Sequence, residues 1–174
     1  MFGRTMILAS AVCLALSMLT GSSRAEVKQV PVARLHAMAE ITAPPATIWA
    51  HITRGRNLVT WCPVWKSAKN ARINIMKVGD VLDFTDEWGK GGRSVVTYLA
   101  RDVELRVAHE PTDGSYMCQA KLVLEPTGKG TRVHYYEQYT DESVQKDFDA
   151  TAQKMQSEME QSLLTLRKSV ERRP

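Results

Sequence analysis

Several polar side chains fall among apolar neighbours in strand-like runs, where they could bind a ligand or transfer a proton. In the run RVHYYEQY, an outward Arg132 implies that Tyr135, Glu137 and Tyr139 share the inner face. In ELRVAHE the same alternation places His109 inward. A histidine near a carboxylate could perform acid–base chemistry, because burial can move a glutamate pKa towards neutral pH. The competing interpretation is that His109 and Glu137 satisfy each other, or a backbone group, at the sheet edge.

The alternation also predicts the lining of an inner cavity, which is apolar with a polar minority. Small-molecule pockets have this composition. A slip of one residue in register would turn all of these strand residues to the outer face. The candidate lining residues are Trp61, Phe84, Asp86, Trp88, His109, Cys118, Tyr135, Glu137 and Tyr139.

The segment NLVTWCPVW places Trp61 and Trp65 on either side of a Cys-Pro pair. Pro63 ends a short predicted helix, because the residue before a proline avoids the helical conformation. We therefore interpret both tryptophans as a cover for one end of the core, and not as part of a redox motif.

The chain has three cysteines, and one of them, Cys13, lies in an apolar run near the N-terminus. An oxidising compartment would permit a disulfide between the other two, Cys62 and Cys118. Two buried thiols are the alternative that we favour, because a single pair in a chain of this length is not a disulfide scaffold.

Metal and cofactor chemistry have little support in the sequence. His36, His51, His109 and His134 are scattered, and no CxxC or HExxH spacing occurs. The runs GKGG and TGKGT are typical of hairpin turns, since a phosphate loop needs a strand before it and a helix after it. We expect no metal and no cofactor.

Residues 1–25 resemble a cleaved secretory signal. Arg4 precedes an apolar run over 6–19, and the small residues Ser23 and Ala25 stand just before the expected cleavage site. We therefore expect a periplasmic protein with no membrane span, in which residues 26–174 form one domain.

The charge balance is mild, with 23 Lys and Arg against 19 Asp and Glu. Two of the arginines leave with the expected signal. Nucleic-acid binding usually requires a concentrated basic patch, so this balance argues against such a partner.

Hydrophobic periodicity predicts a strand over Val32–Thr42, two short helices and a long C-terminal helix over Asp141–Glu171. Tandem prolines in APPATIWAHIT suit the first turn of one short helix, and the other covers Asn57–Trp61. The apolar stripe of the long helix is Val144, Phe148, Ala152, Met155, Met159, Leu163, Leu166 and Val170.

Period-two runs between these helices predict an antiparallel meander. A curved antiparallel sheet of about seven strands around the long helix is the α+β arrangement that buries the helix stripe. The six runs after the short helices are Lys66–Ile75, Val81–Trp88, Arg93–Arg101, Glu104–Glu110, Tyr116–Glu125 and Thr131–Thr140.

The order of AEITAPPATIWAHIT, NLVTWCPVW and VGDVLDF resembles the START / Bet v 1-like (SRPBCC, polyketide cyclase/dehydrase-like) superfamily, whose members have the helix-grip fold. In that superfamily an Ile-Trp pair lies in the first helix, matched here by Ile48 and Trp49. A Trp-x-Pro pattern ends the second helix, matched by Trp61 and Pro63, and a Gly-Asp pair opens the next hairpin, matched at 79–80. The resemblance covers essentially the whole of 26–174.

Three functions are compatible with this resemblance. The leader, the length and the single domain also resemble MxaD-type proteins of methanol-oxidation gene clusters in methylotrophic bacteria. This narrower resemblance implies a non-catalytic periplasmic accessory factor of methanol dehydrogenase and its cytochrome c acceptor. Lys90 and Arg93, in the hairpin run DEWGKGGR, are the candidate partner surface.

The two alternatives are a periplasmic protein that binds or transports a small hydrophobic ligand, and an aromatase/cyclase-type enzyme. A cyclase should place several polar groups deep in a wide cavity, whereas bulky interior aromatics would fill it. The predicted interior is closer to the filled case, which disfavours the enzyme.

Overall fold

A computed structural model of the chain describes residues 32–62, 74–85, 89–140 and 148–172. Six antiparallel strands form a single sheet in the order β1-β6-β5-β4-β3-β2, and a long helix follows the last strand. The predicted α+β helix-grip fold is confirmed. The elements are β1 (Val32–Ile41), α1 (Pro45–Thr53), α2 (Gly55–Trp61), β2 (Val81–Thr85), β3 (Gly91–Ala100), β4 (Glu104–Pro111), β5 (Met117–Thr127), β6 (Gly130–Thr140) and α3 (Phe148–Glu171).

The position of β1 at one edge of the sheet determines the path of the chain through the two short helices. Strands β2 to β6 follow one another as a meander, whereas β1 pairs with β6, the last strand of the chain. β1 and β2 are therefore the two edges of the sheet, and the chain segment that contains α1 and α2 must connect them. Both short helices also pack against α3.

The main core lies between the sheet and α3. Side chains alternate between the two faces of β1, β4, β5 and β6, so the inner face carries a cross-strand row of Ala37, Tyr135, Leu122 and Leu105. α3 has 24 residues, which corresponds to a length of about 36 Å. It buries Met159, Leu163 and Leu166 of its predicted stripe.

Two hydrogen bonds fix the junction between β1 and α1. The Thr42 amide donates to Glu171 Oε1 at the end of α3, with an N···O distance of 2.9 Å. The buried Thr131 hydroxyl of β6 donates to the Ala43 carbonyl at 2.7 Å. The first helix is thus attached both to the sheet and to α3.

The structure differs from the sequence prediction near the second helix. The sequence predicts a strand over Lys66–Ile75, but 66–73 lie outside the described residues, and Asn74 and Ile75 belong to no strand. Instead, the Ile75 amide donates to the Thr53 carbonyl at 2.8 Å, which holds this segment against the end of α1. The first part of the predicted long helix, 141–147, is also outside the described residues.

The turn between β5 and β6 provides a test of the junction with β1. A methyl group on Gly130 would lie 2.2 Å from the Ile41 carbonyl oxygen, and φ there is 151°. We expect Gly130→Ala to lower the free energy of unfolding by about 2–4 kcal/mol, because strain and a backbone clash are both introduced. Urea denaturation measures this change.

Gly128 is the matched control in the same turn, since a methyl group there meets nothing within 4 Å. Gly128→Ala should change the free energy of unfolding by less than about 1 kcal/mol. Equal destabilisation by the two substitutions would show that the contact with β1 is not tight.

Candidate functional site

One cross-strand row on the inner face carries a polar or sulfur-containing side chain on four neighbouring strands. Ser94 of β3 pairs with His109 of β4, His109 pairs with Cys118 of β5, and Cys118 pairs with Tyr139 of β6. All four side chains are buried. They face inward as the strand alternation predicts.

The next inner positions of β6 add a carboxyl group and a second phenol. Glu137 pairs with Ala120, and Tyr135 pairs with Leu122, so both have apolar neighbours on β5. The Tyr135 hydroxyl donates a hydrogen bond to Glu137 Oε1. The carboxyl group therefore has a neutral hydroxyl as its partner inside the protein.

Burial raises the pKa of Glu137 from 4.5 to about 7. The hydrogen bond from Tyr135 opposes this rise by stabilising the ionised carboxylate, and the charge of Glu158 on α3 contributes to it. Near neutral pH, Glu137 can therefore either donate a hydrogen bond as an acid or accept one as a carboxylate. A group of this kind can also exchange a proton with a bound molecule.

His109 is held in its neutral form by its surroundings. Burial lowers its pKa from 6.5 to about 4. Its Nδ1 atom shares a hydrogen bond with Ser94 Oγ at 2.8 Å. The Phe84 ring meets the imidazole edge-on, with centroids 6.0 Å apart. The geometry therefore pairs His109 with Ser94, and Glu137 with Tyr135.

Both cysteines of the predicted domain are buried, and the structure does not join them in a disulfide. Burial raises the pKa of Cys118 well above its usual value, and the charges of Glu137 and Cys62 act in the same direction. Because the thiolate is the nucleophilic form, this environment makes Cys118 a poor nucleophile at neutral pH.

The described inner face contains two separate apolar clusters. The larger one surrounds Trp61 and the second half of α3. The smaller one consists of Ala33, Cys118 and Tyr139, with Ala152 and Met155 of α3 packed against it. Glu137 lies on β6, which also carries Tyr139 of the smaller cluster, whereas Tyr135 belongs to the larger cluster. Ser94 and His109 lie on β3 and β4.

The other candidate residues are distributed over the fold. Trp61 ends α2 and is buried in the larger cluster, and Phe84 is buried on β2. Asp86 and Trp88 lie outside the described residues.

The two candidate partner-surface cations both have local carboxylate partners. Lys90 contacts Asp113 at 3.4 Å and donates to the Ser115 hydroxyl at 2.8 Å. Arg93 pairs with Glu110 at 2.8 Å, and its side chain is 62% exposed. Both cations lie at one end of the hairpin that joins β2 to β3.

Sequence reasoning did not select Ser94, although a signal for it was present. An outward Arg93 implies an inward Ser94, and a serine there is a potential partner for any polar neighbour. Its importance depends on the pairing of β3 with β4, which places it directly opposite His109.

The described residues contain no group of three or more His, Cys, Asp or Glu side chains arranged to hold a metal ion. In the same part of the chain, none of the helices combines the length and apolar character needed to cross a bilayer.

The pKa shifts of Glu137 and His109 should change the free energy of unfolding in opposite directions as the pH rises. The folded pKa of Glu137 is raised, so its contribution is present below pH 4.5 and is lost as the pH rises to about 7. The folded pKa of His109 is lowered, so its contribution is present above pH 6.5 and is lost as the pH falls to about 4. The two effects oppose each other in weakly acidic solution.

Single substitutions should separate these effects in urea denaturation measured across this pH range. Relative to the wild type, Glu137→Gln should gain roughly 3 kcal/mol of unfolding free energy between pH 4.5 and 8. His109→Asn, which can keep a polar atom near Ser94, should gain a similar amount as the pH falls from 7 to 4. Variant profiles parallel to that of the wild type would show that neither pKa is shifted by burial.

Comparison with known proteins supports the fold and gives the family. The structure is similar to the protein CV1439 from Chromobacterium violaceum, with a TM-score of 0.61 and 16% identity over 82% of this chain and 98% of that one. It is also similar to the Aha1 dimer from Colwellia psychrerythraea, with a TM-score of 0.60 and 21% identity over 80% of this chain and 96% of that one.

A third similar structure is DynU16, a protein of the dynemicin biosynthetic locus, with a TM-score of 0.62 and 13% identity over 79% of this chain and 47% of that one. At these identities the similarity shows the fold alone. A search of the curated proteins found no match. The model of the family described as polyketide cyclase / dehydrase and lipid transport matches residues 32–171. The chain therefore belongs to the polyketide cyclase/dehydrase and lipid transport family.

Proposed function

We propose that this protein binds a small, largely apolar molecule between the sheet and the first half of α3. The observation that carries the proposal is the buried Tyr135–Glu137 pair, which lies on a largely apolar inner face. Pockets for small molecules combine apolar walls with a few convergent polar groups. The family description, which includes lipid transport, supports the same class of function.

The chemistry of the inner face suggests what the molecule carries. His109 is neutral, and the Glu137 carboxyl is close to half-protonated at neutral pH, so no fixed charge is offered to a ligand there. A hydroxyl, carbonyl or phenol group could exchange hydrogen bonds with Glu137 or Tyr135. An ionic head group would lose its hydration without gaining an opposite charge.

We expect the ligand to bind at the smaller of the two apolar clusters of the inner face. Ala152 is a small residue on α3 that faces the smaller cluster, next to Cys118 and Tyr139. We expect the ligand to lie beside this short side chain, in a place that a longer side chain would occupy.

Filling this space should block binding without damaging the fold. We expect Ala152→Leu to raise the Kd for the neutral fluorophore N-phenyl-1-naphthylamine at least tenfold, because its side chain takes the place of the ligand. Fluorescence titration measures the Kd, and thermal unfolding reports whether the longer side chain is tolerated. Ala108→Leu, on the outer face of β4, is the control and should leave the Kd unchanged.

Two outcomes would contradict the proposal. One is an unchanged Kd in Ala152→Leu, which would place the fluorophore elsewhere. The other is a wild-type protein that does not bind the fluorophore, combined with a loss of several degrees in Tm in Ala152→Leu, which would show that the interior is already filled.

We further propose that the protein is exported to the periplasm and acts there as an accessory factor of methanol oxidation. The signal-like residues 1–25 support export, and the resemblance to MxaD-type proteins supports the accessory role. The partners would be methanol dehydrogenase and its cytochrome c acceptor. Lys90 and Arg93 are the candidate contacts, since their side chains remain 38% and 62% exposed beside their carboxylate partners.

Charge reversal tests the proposed contact surface. We expect the double variant Lys90→Glu, Arg93→Glu to bind methanol dehydrogenase at least fivefold more weakly at low salt, as measured by surface plasmon resonance, because exposed charges steer association. The control is Arg34→Glu, Lys121→Glu, which makes the same charge change on the outer face of the sheet. Equal loss in both double variants, or no loss in either, would exclude the hairpin as the contact.

A further inference from the structure

A groove outside the sheet–α3 interior lies between α1, residues 74–76 and the turn after β3. Its volume is about 460 Å³, which is within the usual range of small-molecule sites. We call it the α1 groove. Its lining residues are Ala46, Trp49, Ala50, Thr53, Arg54, Asn74, Ile75, Met76, Leu99, Arg101 and Asp102.

The sequence of α1 explains why the groove exists. Ala46, Ala50 and Thr53 are small and share one helix face, because they are four and three residues apart. The bulky Ile48 and Ile52 point to the other side and are fully buried in the core. Space therefore remains between these small residues and the turn after β3, beside Trp49, which also lines the groove.

Hydrogen bonds hold the walls of the α1 groove in place. The Ile75 amide donates to the Thr53 carbonyl at 2.8 Å, and the Gly55 amide donates to Asn74 Oδ1 at 3.2 Å. On the opposite wall, the Val103 amide donates to the Ala100 carbonyl at 3.0 Å and closes the turn. The groove is thus formed before any ligand arrives.

The charges at the rim favour an anion. Arg54 is exposed, and among the described residues it makes no ion pair. Arg101 pairs with Asp102 at a distance of 3.7 Å, and its side chain is 86% exposed. Asp102 has a positive φ of 61°, a backbone conformation that Asp adopts more readily than most residues. The rim therefore has one more positive charge than negative.

We infer that the α1 groove is a second binding site, which takes an amphiphilic carboxylate. The apolar part of such a molecule would lie along Ala50, Trp49 and Leu99. Its carboxylate would pair with Arg54 and with Arg101. This ligand is anionic, whereas the molecule proposed for the interior carries an uncharged polar group, so the two sites differ in chemistry.

Nuclear magnetic resonance with two matched probes tests the inference. Octanoate and 1-octanol have the same chain length and differ in the anionic head. We expect octanoate to shift the indole N–H resonance of Trp49, assigned with Trp49→Phe, and to bind about fivefold more tightly than 1-octanol. Ala50→Leu, which fills the groove, should abolish the shift.

Arginine variants provide the charge control. Arg54→Gln should weaken octanoate binding about fivefold, while Arg56→Gln, an exposed arginine of α2 that does not line the groove, should leave it unchanged. Equal weakening by both variants would show non-specific attraction and would overturn the inference. A shift of the Trp61 resonance without one of Trp49 would also overturn it, and would leave the proposed interior site intact.

Discussion

The cost of removing the Glu137 carboxyl from water is the constraint on which the inner face depends. A buried carboxylate is stable only when it is paired or when it takes up a proton. Here its hydrogen-bond partner is a tyrosine hydroxyl and not a cation, and its pKa rises to about 7 as a consequence. A buried group whose pKa is strongly shifted by its surroundings is typical of a functional site.

The neighbouring strands show the same preference for neutral polar groups. His109 is uncharged and shares its hydrogen bond with Ser94, and Cys118 is held as a thiol. The interior around Glu137 therefore carries polar groups that are uncharged at neutral pH. Such an interior is suited to recognition of uncharged polar groups on an apolar molecule.

Much of the fold could be predicted from the sequence because its signals are local. Alternation along β4, β5 and β6 correctly places His109, Cys118 and Glu137 on the inner face, and the apolar stripe of α3 predicts the burial of Leu163. The partner of His109 could not be predicted, because it depends on the register between β3 and β4, which places Ser94 opposite His109. Glu137 accepts its hydrogen bond from Tyr135, two residues away on the inner face of the same strand, and not from His109, the partner considered from the sequence.

The α1 groove could not be predicted for a related reason. Its two walls are α1 and the turn after β3, which are far apart in the chain and meet only in the folded protein. The similarity to solved structures likewise concerns the fold, since proteins at 13% to 21% identity share the architecture. Function in such a family is determined by the residues of the site.

Native mass spectrometry of the protein, purified gently from its own cells, tests the central claim of an occupied interior most directly. We predict a reproducible small-molecule mass in a one-to-one complex, which is lost on denaturation and is absent from Ala152→Leu. A protein that is consistently free of any bound molecule would contradict ligand binding in the interior. Co-purification of such an empty protein with a dehydrogenase or cytochrome subunit would leave the accessory role as the function.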